Sequence, residues 1–130
     1  YTCFAYDNLR VEILPDAGVV KQEADLEAEV VRVLVDVTNT GDVAGGEIIQ
    51  CYVSDLECSV ERPVKELKAF DKVFLEPGET MTVELMLNNR AFAFYDVEQK
   101  AFIVEEGEFE LHVGSASDKI HHSTKISLTN

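Results

Sequence analysis

The sequence predicts an all-β chain folded as a two-layer antiparallel sandwich, and three observations predict it. Apolar residues recur with a period of two along most of the chain. Turn residues interrupt them at short intervals, and no segment between turns carries an apolar stripe long enough for a packed helix. Finally, 130 residues with 46% hydrophobic content amount to one domain with ample material for a core. A chain of that size buries roughly two-thirds of its unfolded surface and needs neither disulfide nor metal to stay folded.

The N-terminal stretch 1–14 reads as extended. The clearest strand is Glu29 to Thr38, where Val31, Val33, Val35 and Val37 share one face. Val30, Arg32, Leu34, Asp36 and Thr38 take the other. Five valines and a leucine within eight residues suit a pleated surface better than a helix. Asn39-Thr40-Gly41-Asp42 ends the strand with turn chemistry. From Glu47 to Ser54, Ile49, Cys51 and Val53 point inward and Gln50, Tyr52 and Ser54 outward. A further strand runs from about Leu67 to Leu75 and stops at Glu76-Pro77-Gly78-Glu79, where Pro presets φ and Gly can take a positive one. Met81, Val83, Leu85 and Leu87 then alternate with Thr82, Glu84 and Met86. Asn88 to Ala93 is the one helical candidate, a single turn. Ala101 to Val104 is a short strand, and Glu105-Glu106-Gly107-Glu108 a second turn. Phe109, Leu111 and Val113 alternate with Glu110 and His112, and Ile120 to Leu128 closes the chain. Seven or eight strands without intervening helices describe a sandwich of immunoglobulin or fibronectin type III kind. Pro15 to Leu26 and Asp55 to Glu66 lack a pattern and form the longest loops.

Charge narrows the partners. Twenty-five acidic against 11 basic residues give −14, too few cations for a phosphate-binding patch, so nucleic acid is excluded as a partner. Anionic membrane surfaces are disfavoured for the same reason, and no apolar run approaches the ~20 residues of a membrane span. Three cysteines, Cys3, Cys51 and Cys58, read as reduced thiols rather than a disulfide scaffold, leaving open a single Cys51–Cys58 bridge. That odd number favours a cytoplasmic setting slightly and leaves export open. The chain opens on Tyr1 and reads as a piece of something longer.

Chemistry is sparse. His112, His121 and His122 sit in no nucleophile or metal motif, and neighbours in a strand point to opposite faces, so the last two do not chelate together. Cys58 falls in a loop without flanking cations to activate its thiol. Cys51 and Cys58 are spaced too widely for a common zinc pair. The acidic ladders Glu23, Asp25, Glu27, Glu29 and Glu106, Glu108, Glu110 read as solvated sheet faces without calcium-loop spacing. No glycine-rich phosphate loop occurs, and the absence of tryptophan argues against a sugar-binding platform. No catalytic, cofactor or metal residue is assigned, and no cofactor is expected.

One resemblance goes further. Val35-Asp36-Val37-Thr38-Asn39-Thr40-Gly41-Asp42-Val43-Ala44-Gly45, followed by Gln50-Cys51-Tyr52-Val53-Ser54-Asp55, resembles the fibronectin type III-like domain of family 3 glycoside hydrolases, the β-glucosidase and β-xylosidase family. Arg62-Pro63-Val64-Lys65-Glu66-Leu67-Lys68-Ala69-Phe70, Leu75-Glu76-Pro77-Gly78-Glu79-Thr80, Phe94-Tyr95-Asp96 and the stretch from Gly107 to Ser115 continue the pattern in order. Gly46, Cys51, Ala69 and Glu106 depart from it, where an acid, Leu, Gly and Pro are usual. The resemblance implies that residues 1–130 are a single fibronectin type III-like domain and a fragment of a larger glycoside hydrolase. That parent would hydrolyse terminal β-glycosidic bonds with retention, through carboxylates on a barrel domain and a flavodoxin-like sandwich domain. On this chain the resemblance implies a non-catalytic accessory module packed on those two domains. The alternatives are a carbohydrate- or cell-wall-binding module and an adhesin-type domain.

Arg62, Pro63, Val64, Lys65, Glu66 and Leu67 are the candidate interdomain interface. They end a long loop, place two cations in an acidic chain and stiffen it with a proline. The competing reading is a simple crossing between sheets. The expected core is Val31, Val33, Val35, Val37, Ile49, Cys51, Val53, Val83, Leu85, Phe109, Leu111 and Val113.

Overall fold

A computed structural model describes residues 3–15, 17, 23–56, 65–98, 100–104 and 107–128. Among them are nine strands: β1 (Phe4–Ile13), β2 (Glu29–Asn39), β3 (Gly45–Asp55), β4 (Glu66–Leu75), β5 (Thr80–Asn88), β6 (Phe94–Asp96), β7 (Ala101–Ile103), β8 (Gly107–Ala116) and β9 (Lys119–Leu128). Two antiparallel sheets face each other, one in the order β1-β2-β5 and the other β4-β3-β8-β9. β6 and β7 form a separate small ribbon. The seven or eight expected strands did not include β6, a three-residue strand that pairs only with β7.

Every one of the twelve expected core residues is buried. Val33 and Val35 of β2 lie opposite Leu85 and Val83 of β5. Cys51 and Val53 of β3 face Val113 and Leu111 of β8. Each such side chain contributes about 1.5–3 kcal/mol by leaving water. Met81 departs from its row and is 44% exposed, because it stands at the open end of β5 beside the turn. Tyr52 and Ser54 do lie on the outer face as expected, yet they are 7% and 3% exposed. Their polar atoms find partners there: the Tyr52 hydroxyl bonds Gln50, and Ser54 bonds His112.

Asn39 does more than open a turn. It is fully buried, and its Nδ2 donates to the carbonyls of Val43 (2.9 Å) and Leu75 (3.0 Å) while Oδ1 accepts from Gly41 N–H (2.9 Å). Its carbonyl accepts from Gly78 N–H at 2.8 Å. One side chain thus ties the β2–β3 and β4–β5 connections together. In the latter, Gly78 holds φ +81 and Glu79 N–H donates to Glu76 at 3.0 Å, as a Pro-Gly type II turn requires.

Two readings need correction. Glu23, Asp25 and Glu27 belong to a 3-10 turn, Glu23–Glu27, not a sheet face. It docks on a second 3-10 turn, Asn89–Phe92, through Arg90 to Glu27 (2.7 Å) and Asn89 Nδ2 to the Asp25 carbonyl (3.1 Å). The second correction concerns His121 and His122. A bulge pairs Val113 with His122 and Gly114 with Ile120, leaving His121 as the extra residue. A bulge breaks the strict alternation of faces. Both histidines therefore meet Tyr6: the His121 ring stacks on it (centroids 4.0 Å, planes 2° apart) and His122 Nε2 bonds its carbonyl.

Candidate interdomain surface

Of the six residues singled out, Arg62, Pro63 and Val64 lie outside the described residues, as does Cys58. Lys65 directly precedes β4, and Glu66 and Leu67 open it. Lys65 Nζ donates to the Ser117 carbonyl in the β8–β9 turn at 2.9 Å, an anchor within the domain itself. Glu66 pairs with Lys68 at 3.1 Å. Leu67 lies opposite Tyr52 and is 48% exposed. The slip in register between Cys51 and Tyr52 leaves Lys68 without a cross-strand partner, after which regular pairing resumes at Ala69.

Beyond the slip, alternation is regular. Val73 and Leu75 enter the core, so Phe70, Lys72 and Phe74 face outward. They lie opposite Gln50, Ile48 and Gly46 of β3. Phe70 and Phe74 are 68% and 65% exposed, and Ile48 43%. In an antiparallel pair, Ile48 sits diagonally within reach of both phenylalanines. The result is an apolar strip along an edge strand with a lysine in its middle. Sequence reasoning placed this strand without seeing the strip; the signal was two phenylalanines of one parity flanking a lysine, opposite Val73 and Leu75.

Elsewhere on the same face His112 bridges Ser54 (Nε2 to Oγ, 3.2 Å) and Ser123 (Nδ1 to Oγ, 2.8 Å), with Glu110 3.6 Å from Nδ1. The order superficially matches a serine, a base and a carboxylate. Ser54 is nevertheless 3% exposed, and Nδ1 is held more closely by Ser123 than by Glu110, so the row orders the sheet face. Burial lowers the His112 pKa, with Glu110 opposing and Lys65 assisting. Cys51 is a free thiol, and its burial pushes its pKa up to about 12, far from a reactive thiolate. Among the described residues no three His, Cys, Asp or Glu side chains converge as a metal site.

The sequence profile of the fibronectin type III-like domain matches residues 47–117, from within β3 to the β8–β9 turn. The chain belongs to that family. This fibronectin type III-like domain is 43% identical over 120 residues to thermostable beta-glucosidase B of Acetivibrio thermocellus, covering 92% of this chain and 15% of that protein. To probable beta-glucosidase I of Aspergillus oryzae it is 37% identical over 131 residues, covering 99% and 15%. Among solved structures, the Beta-D-glucoside glucohydrolase from Trichoderma reesei superposes with a TM-score of 0.87 at 30% identity, covering 99% of this domain and 19% of that chain. A beta-glucosidase from Kluyveromyces marxianus in complex with glucose gives 0.79 at 36%, covering 100% and 14%. The domain thus spans about a seventh of the curated relatives it matches.

Proposed function

We propose that residues 1–130 form one fibronectin type III-like accessory module that packs on and stabilises the catalytic domains of a family 3 β-glucosidase-like enzyme. The parent would hydrolyse terminal β-glycosidic bonds, and this module would supply none of the reacting groups. The observation that carries the reading is that nearly all of this chain aligns with only 15% of far longer proteins named as β-glucosidases. A domain repeated at that share inside enzymes of one activity serves that activity, and the described residues offer it no accessible nucleophile with a base. Arg62, Pro63, Val64, Lys65, Glu66 and Leu67 belong to the surface facing the catalytic domains in this reading.

The test compares two contexts. Arg62→Ala with Lys65→Ala should lower thermal stability or activity of the full-length enzyme. In the isolated domain the pair should change stability by less than about 1 kcal/mol. Equal destabilisation in both would assign the segment to internal packing. The isolated domain should also leave a chromogenic β-glucoside unhydrolysed. Turnover abolished by a single substitution within it would overturn the accessory reading.

A second reading has one observation in its favour: Phe70 and Phe74 lie exposed on a sheet face, where a glycan could stack. Retardation of the domain by soluble glucan in native electrophoresis, lost in Phe70→Ala, would support that instead.

A further inference from the structure

We propose that the outer face of β4, built from Phe70, Ile48 and Phe74 around Lys72, is the surface on which the catalytic part of the same polypeptide seats. This inference rests on the accessory reading and adds to it the face that is used and the chemistry it meets. The occupant is an apolar surface presenting a carboxylate opposite Lys72.

Four observations converge on this strip. Phe70 and Phe74 are among the most exposed large apolar residues described, and Ile48 joins them into one patch across the β3–β4 ladder. Such a contiguous apolar patch marks an interaction surface more often than chance exposure does. β4 is moreover a ten-residue edge strand, with β3 on one side and no strand on the other among the described residues. Edges of that length are normally covered or guarded. Third, Lys65, Lys68 and Lys72 place three of the chain's 11 cations within eight residues of a molecule carrying −14. Lys65 and Lys68 are engaged by Ser117 and Glu66, whereas Lys72 makes no ion pair among the described residues. A cation set between two aromatic anchors is suited to a desolvated carboxylate. Fourth, the strip continues directly from Lys65–Leu67, the described half of the candidate segment.

The same features decide between occupants. A second copy seated about a twofold axis on this strip would bring Lys72 towards its own equivalent and set two strongly acidic molecules together. A covalently linked partner carries neither burden and acts at high effective concentration. The relatives' chains are five to seven times longer than this domain, so that partner is present in cis.

Hydroxyl-radical footprinting of the full-length enzyme tests the assignment, with the unfolded enzyme giving intrinsic reactivities. Met81, 44% exposed on the other sheet, serves as internal reference. Protection of Phe70 and Phe74 by about fivefold or more relative to Met81, as burial in a well-packed interface entails, is the expected result. Lys72→Glu in the full-length enzyme should then lower its melting temperature, and raising salt should narrow the gap from the parent. If Phe70 and Phe74 stay as reactive as Met81 while residues 62–67 are protected, the module docks by another face; the inference falls and the accessory reading stands. Reactivity at all of these positions would remove both. Protection that vanishes on dilution, with a matching change in oligomeric state, would assign the strip to a second copy. Protection that appears only on adding soluble glucan would assign it to a glycan. Either outcome would overturn the inference.

Discussion

The two outer faces of the sandwich are built to different ends. On the three-stranded sheet, the polar side chains of β2 find partners on both neighbours. Asp36 accepts from Asn8 Nδ2 (3.0 Å), Arg10 Nη2 (3.1 Å) and Thr82 Oγ1 (2.8 Å). Arg32 reaches Glu12 at 3.4 Å and Glu84 at 3.8 Å, and Thr38 meets Thr80 at 2.7 Å. Those pairs are exposed and individually weak. Together they pair most of that face within the domain, although the buried Arg32 Nε makes no hydrogen bond among the described residues. On the four-stranded sheet, β4 instead shows phenylalanines and a lysine, Lys72, that makes no ion pair among the described residues. The strands differ little in length or apolar content; they differ in position, one central and one at an edge. The first face is largely paired within the domain, whereas the second is the one on which the proposed docking surface lies.

That contrast can be broken at several depths. The largest expected effect lies within the four-stranded sheet, at Gly114 of β8. A Cβ there would stand 2.1 Å from the Lys119 carbonyl oxygen and 2.8 Å from the Ile120 Cα, both backbone atoms of the bulged strand. Gly114→Ala should therefore cost more than about 3 kcal/mol, or prevent folding, in the isolated domain and the full enzyme alike. Urea denaturation of both would check it, and a benign outcome would mean the bulge is placed wrongly. Next, Leu111→Ala or Val35→Ala should cost about 2–4 kcal/mol by lost transfer energy and a cavity, again independent of context. A clearly larger loss in the full-length protein would show that the core, and not only the proposed β4 surface, is coupled to the rest of the polypeptide.

The smallest effect probes the finished face. Hydrogen bonds from Asn8 and Thr82, and then the Arg10 charge, hold the Asp36 carboxyl below its ordinary value of 3.8. A depressed folded-state value stabilises the fold above the unfolded pKa, and that contribution is lost as pH falls through the folded one. The difference in urea midpoint between the wild type and Asp36→Asn should thus be present at pH 7 and close on acidification below about pH 4. A difference that persisted to pH 2 would mean the carboxylate charge is not what the network uses.

These contrasts also mark what the sequence disclosed. The twelve core positions were legible because period-two alternation with β-branched residues reports one buried face directly. Bulges were not, since one extra residue leaves no compositional trace, either at His121 or between Asp7 and Arg10, where the β1–β2 register shifts. Asn39 read as a turn residue because its deciding partner, the Leu75 carbonyl, is 36 positions away. The exposed strip of β4 was not legible: the sequence singled out Arg62–Leu67, which ends where the strip begins, but β4 carries apolar residues on both parities, and whether a strand is central or at an edge is a property of the whole sheet.

Tyr6 has a consequence in time as well as in space. Through the His121 ring, the His122 bond and a 3.1 Å hydrogen bond from its hydroxyl to Glu47, it joins the first strand to the last and to the facing sheet. The bond to His122 spans 116 residues, among the longest closures this chain can make. Contacts of such separation are entropically expensive to bring together before the intervening strands have ordered. The sandwich is therefore expected to close late, after the ladders between strands nearer in sequence have formed. Weakening this clasp should leave the refolding rate nearly unchanged and let the folded domain come apart faster.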